Sequence, residues 1–147
     1  MKSKSYFLVI LILACFAVET ASASRPAFLF TRTRGRCTAQ YWSSRREAWP
    51  RMVPQTSTVS NVFGSRIFER YRSGLTLLES TARNDDENVF VGLLKQAIAA
   101  LLNSYARKEF AYSAWEVKTL FIQGLVSEGA AAKLAKQFSI ANEACNN

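Results

Sequence analysis

Histidine is absent from all 147 positions, and that one absence removes much chemistry. Without it there is no Ser-His-Asp or Cys-His pairing, no imidazole acting as a base near neutral pH, and none of the commonest zinc sites. Glycine is scarce at six residues, and they form no phosphate-cradling loop or G-x-S-x-G elbow. No Asn-x-Ser/Thr sequon occurs, so N-glycosylation is not expected. The run Asn84-Asp85-Asp86-Glu87 lacks the alternating ligands, central glycine and terminal glutamate of a calcium loop, and reads instead as an acidic helix start. No catalytic residue, metal ligand set or cofactor is expected.

What the chain does have starts with an export signal. Lys2 and Lys4 precede an unbroken apolar run from Phe7 to Val18, and Ala21-Ser22-Ala23 supplies small residues at a cleavage site. The run is shorter than the roughly 20 residues a membrane-crossing helix needs, so residues 1–23 are expected to be a signal peptide and not an anchor. The remaining length, about 124 residues, suits one domain. Residues 24–36 read as a flexible basic lead-in, and 37–147 as the folded part.

Cleavage would remove Cys15 and leave Cys37 and Cys145. An even pair in an exported chain favours a disulfide, two free thiols being the other reading.

Charge is lopsided. Between Arg25 and Arg72 ten arginines face only Glu47 and Glu69, whereas from Ser73 onward seven basic residues meet eight acidic ones. All the early cations are arginine, the side chain that grips carboxylates with two parallel hydrogen bonds. Arg45, Arg46, Arg51, Arg66, Arg70 and Arg72 are therefore the candidate partner-binding residues. In an extracellular setting the counter-surfaces open to it are acidic polysaccharides, anionic membranes or acidic partner proteins; the compartment argues against nucleic acid. The competing reading is a solvated basic face that only maintains solubility.

Apolar periodicity is helical wherever it is clear, and nothing reads as a strand. Gln40 to Ala48 is expected to be a short helix with Trp42 and Trp49 on one face and Arg45 and Arg46 between them, stopped by Pro50 and Pro54. Tyr41, Trp42 and Trp49 are scaffold aromatics, and an arginine over a tryptophan ring would be a structural contact. Val59, Val62, Phe63, Ile67 and Tyr71 suggest a helix that Gly64 weakens, and a short helix follows from Leu75 to about Arg83. The strongest element runs from about Glu87 to Lys108, with a stripe from Phe90 through Leu101, Leu102 and Tyr105. Ser113-Ala114-Trp115-Glu116 is a capping box for the next helix, and the last begins near Ser127 or Glu128. The expected fold is all-α, a single compact domain of about five helices closed by one disulfide.

The stretch Cys-Thr-x-x-Tyr-Trp-x-x-x-x-Glu-Ala-Trp-Pro, Cys37 to Pro50, resembles the opening of the C-terminal domain of plant protodermal factor one-like proteins. It also resembles related bacterial domains that open Cys-Thr-x-Gly-Tyr-Trp-Lys-Asn-His-Pro-Glu-Ala-Trp-Pro. The likeness continues at Ala100-Leu101-Leu102-Asn103, at Phe110, Tyr112 and Val117, and at Phe138, Ala141, Asn142 and Glu143. Ser43-Ser44-Arg45-Arg46 stands where the bacterial pattern has Lys-Asn-His-Pro. The resemblance implies an extracellular, wall-associated protein linked to epidermal or reproductive surfaces, and implies no reaction. Two expectations result: a structural or binding module that holds an anionic partner, an acidic cell-wall polysaccharide such as pectin or an acidic cell-surface protein, and a secreted recognition protein for a cell-surface receptor in reproduction or defence. An enzyme would need a polar pocket built from residues such as Glu47, Asn103 or Tyr112.

Overall fold

The apolar stripe after Asn88 forms the element around which the others pack. In the computed structural model, which describes residues 35–83 and 88–145, it is an 18-residue helix, Val89–Ala106. Five more α-helices accompany it among the described residues. In chain order they are α1 (Ala39–Ser44), α2 (Val59–Phe63), α3 (Leu77–Ala82), α4 (the stripe helix), α5 (Ala114–Gly124) and α6 (Glu128–Ala144). Two 3-10 turns, Arg46–Ala48 and Ser65–Glu69, interrupt the first half. There is no strand among the described residues. The expected signal peptide, the expected lead-in up to Arg34 and the acidic stretch 84–87 lie outside them.

Helix α4 packs against α6, α5, α3 and α1. Leu93, Leu94, Ala97, Ile98, Ala99, Ala100, Leu101 and Leu102 are all buried, so apolar side chains meet protein on nearly every side of its middle turns. By length and composition alone it could cross a membrane, but over half of it is enclosed by its neighbours, as a core helix is. Tyr105, expected in the stripe, is exposed, although Asn103 before it is buried and Ala106 after it still packs on the core.

Caps set the boundaries. Thr38, Thr58, Thr76, Asn88, Ser113 and Ser127 each place a side-chain oxygen on a backbone N–H of the first turn. Thr76–Glu79 and Ser113–Glu116 are complete capping boxes, the second as expected. The hydrogen bonds these carboxylates accept from Thr76 and Ser113 hold both below the ordinary glutamate pKa. Thr58 and Thr76 also face each other in a single antiparallel bridge, with Val59 N–H on the Leu75 carbonyl at 2.8 Å. Two caps are thereby locked side by side, and α2 and α3 start from one point.

Two expected helices are shorter than their periodicity suggests. The first stops at Ser44, where Arg45 leaves the helical region, and resumes as the 3-10 turn. The break lets Trp49 swing its indole N–H onto the Trp42 carbonyl at 2.7 Å, a bond a continuous helix would forbid. The second stops at Gly64, whose φ of +94° and ψ of 174° belong to a region that only glycine occupies readily. Gly64→Ala, which meets no neighbouring atom within 4 Å, is expected to cost about 1–3 kcal/mol of backbone strain, read as a lower urea midpoint with an unchanged slope.

Candidate functional site

Cys37 and Cys145 are bonded to each other, joining the start of the domain to the end of α6. Beneath the disulfide lies a buried amide relay. The Trp42 indole donates to Asn103 Oδ1 at 2.9 Å. Asn103 Nδ2 donates to the Cys37 carbonyl at 2.7 Å and to Asn142 Oδ1 at 2.8 Å. Asn142 Nδ2 in turn reaches the backbone carbonyl of Gln96 at 3.1 Å and its side-chain oxygen at 3.0 Å. The orientation of Asn103 follows from its partners: an indole only donates and a carbonyl only accepts. Each polar atom of that amide is used, and none is left for a ligand or substrate.

Arg107 closes the same corner. Its guanidinium lies 5.6 Å from the centre of the Trp42 ring and 6.0 Å from that of Tyr41, and it donates to the Arg36 carbonyl at 2.8 Å. The arginine on the tryptophan is therefore this one, and not Arg45 or Arg46. Sequence reading takes Arg107 only as a helix-end charge, because its partners are 65 positions or more away.

Glu47 and Tyr112, the other residues an enzyme pocket would need, and the buried Tyr71 also have structural occupations. Glu47 is exposed and sits 3.7 Å from Arg45, a surface pair of small energetic weight. The Tyr112 ring packs edge-on against Phe110 and Phe138. Tyr71 is buried, which raises its pKa well above that of a free phenol, and its hydroxyl donates to the Phe90 carbonyl at 2.6 Å. These groups do not converge on one place.

The six candidate arginines fall in two places. The Arg70 guanidinium carbon lies over the Phe90 ring, 4.3 Å from its centre, and Arg70 donates Nε–H to the Leu125 carbonyl, holding the 3-10 turn to α4 and to the end of α5. Arg72 pairs with Glu79 at 3.3 Å. Together with Arg83, Asn88 and Val91 they line an open depression of about 380 Å³. Arg66 is exposed on the 3-10 turn before them.

Arg45, Arg46 and Arg51 occupy the segment after α1. All three are exposed, and among the described residues the side chains of Arg46 and Arg51 make no hydrogen bond or ion pair. The segment itself is held. Trp49 and Val53 are buried at either side, Val53 N–H closes a turn onto the Pro50 carbonyl at 3.0 Å, and the Gln55 amide reaches back to the Arg46 carbonyl. Pro50 and Pro54 restrict the backbone at both ends. Cations on such a turn are presented without an ordering cost at the backbone.

Compared with known proteins, residues 38–146 match the family model described as the protodermal factor 1 C-terminal domain. No curated protein and no solved structure matches the chain.

Proposed function

We propose, for a chain that belongs to the protodermal factor 1 C-terminal domain family, that it is a secreted, non-enzymatic binding module at the cell surface or wall. Its arginine-bearing surface holds an anionic partner, with acidic wall polysaccharide such as pectin as the first candidate. One observation carries the reading: among the described residues the side chains of Arg46 and Arg51 stand exposed on a preformed turn without an ion pair, while the Asn103 amide beneath the disulfide is consumed within the fold. The cross-linked ends suit an oxidising compartment.

Binding to polygalacturonate should be salt-sensitive, because exposed charges are screened over about 10 Å at 0.1 M salt and about 3 Å at 1 M. We expect the affinity to fall about tenfold or more between those two salt concentrations, and similarly on combining Arg45→Glu with Arg46→Glu at low salt. Pull-down on immobilised polygalacturonate measures both, and salt-insensitive retention would remove the electrostatic reading. A second reading, recognition of a cell-surface receptor, draws on Met52, an exposed apolar side chain next to Arg51. It predicts saturable binding to intact cells that survives pectin removal.

A further inference from the structure

The two arginine groups differ in their surroundings. Over residues 66–88 four arginines (Arg66, Arg70, Arg72, Arg83) are matched along the chain by five acids (Glu69, Glu79, Asp85, Asp86, Glu87). Two of those arginines are also tied into the fold, Arg70 by Phe90 and Leu125 and Arg72 by Glu79. Over residues 45–54 three arginines face Glu47 alone. Among the described residues each group has two more arginines than acids, and they differ in that Arg70 and Arg72 are held by the fold while Arg46 and Arg51 stand exposed on the turn with no side-chain hydrogen bond or ion pair.

The turn carries a second feature. Met52, next to Arg51 at its tip, is 75% exposed although it is a large apolar side chain. Apart from Met1 it is the chain's only methionine. The arginines alone would serve to hold a chain of uronates, and the exposed thioether adds a feature of another kind. Protein interfaces do: methionine and arginine are both enriched there, lysine is depleted, and methionine adapts its shape to the apolar group it meets.

We infer that the Arg45–Pro54 turn is a docking tip for an acidic protein segment that carries an apolar side chain between its carboxylates, the arginines engaging the acids and Met52 the apolar group. The inference rests on the reading of these arginines as a binding surface and narrows it to one place and one class of partner. Rigid anchoring by Trp49, Val53 and the Gln55 amide means that Met52 and Arg51 are offered in fixed register.

The test uses three fluorescent probes of matched charge: a peptide of eight glutamates, the same peptide with two leucines inserted at its centre, and an octagalacturonate. Anisotropy titrations at low salt are expected to show the leucine-bearing peptide bound about tenfold tighter than the other two, the contribution of one buried apolar contact. Met52→Ser, at an exposed position, should erase that advantage and leave the other probes unchanged. Hydrogen peroxide should do the same by chemistry: one oxygen passes to the Met52 sulfur as sulfoxide, water is released, and the apolar contact becomes polar. Arg51→Glu should weaken all three probes. Equal binding of the three, or a leucine advantage that survives Met52→Ser, overturns the docking tip while the anion-binding reading stands. Failure of every probe to bind overturns both.

Discussion

Asn103→Leu is expected to cost the domain about 3–5 kcal/mol, a large share of the 5–15 kcal/mol that holds an ordinary domain folded. Leucine keeps the branched outline with bulkier methyl ends, so some overpacking adds to a loss that is chiefly one of hydrogen bonding. It strands three buried groups at once: the Trp42 indole N–H, the Cys37 carbonyl and Asn142 Oδ1. Each carries a desolvation cost of about 1–3 kcal/mol when left without a partner, with some relief from local relaxation. Urea unfolding followed by tryptophan fluorescence and by circular dichroism gives the number. A loss under about 1 kcal/mol would mean that the relay is replaced by other partners and is not what fixes the corner.

Asn103→Asp separates hydrogen bonding from shape more finely. One carboxylate oxygen can still accept from Trp42, but the other would face the Cys37 carbonyl and Asn142 Oδ1, two acceptors that the amide satisfied by donating. Burial and this acceptor pair both raise the folded-state pKa of the new acid above its unfolded value of about 3.9. A group with a raised folded pKa binds its proton more tightly in the fold. Its stability deficit is therefore smallest below the unfolded value and grows as pH rises to the folded one. The aspartate variant should unfold at higher urea near pH 4 than near pH 8, relative to wild type at each pH.

How far the sequence discloses this corner depends on distance along the chain. Trp42 and Trp49 are readable as scaffold because their spacing puts them on one side of a short helical segment. The cysteine pairing is readable from parity and compartment. The role of Asn103 is not: an asparagine following Leu101 and Leu102 signals that some buried partner must exist, but the partner is Trp42, 61 positions away, and no periodicity identifies it. Arg107 is similar, its cation–ring contact belonging to tertiary structure. The helix breaks at Arg45 and Gly64 are missed or underweighted because apolar spacing continues through them. At Arg45 the competing force is the Trp49 indole bond, and at Gly64 it is a backbone angle that spacing does not record. The same limit applies to the arginines. Counting charge along the chain finds both groups, and only the structure distinguishes those pinned by Phe90, Leu125 and Glu79 from those presented on the turn.

Removing the disulfide should have an effect as large as removing the relay, by a different route. Cys37 and Cys145 are 108 positions apart, and a cross-link closing so long a loop withholds from the unfolded chain entropy of about 4.7 kcal/mol in the loop-closure account. Cys37→Ser combined with Cys145→Ser is therefore expected to lower the melting temperature by roughly 15–25 °C. The two losses act on opposite sides of the equilibrium. The disulfide raises the free energy of the unfolded state, while the Trp42–Asn103–Asn142 bonds lower that of the folded one. If that division is right, the deficits of the serine pair and of Asn103→Leu should add to within about 0.5 kcal/mol in a double-mutant cycle, even though Cys37 contributes to both. Together they approach the whole stability of the domain, and the combined variant is expected to be unfolded at 37 °C. That outcome makes the cycle measurable only at low temperature or with a stabilising osmolyte present. A coupling above about 1.5 kcal/mol would show that the bond instead works in the folded state, by holding the Cys37 carbonyl where Asn103 can reach it. Because the turn that carries Arg51 and Met52 is anchored through Trp49 to Trp42, loss of the disulfide and of the Asn103 bonds should also weaken binding at that turn, in step with unfolding and not before it.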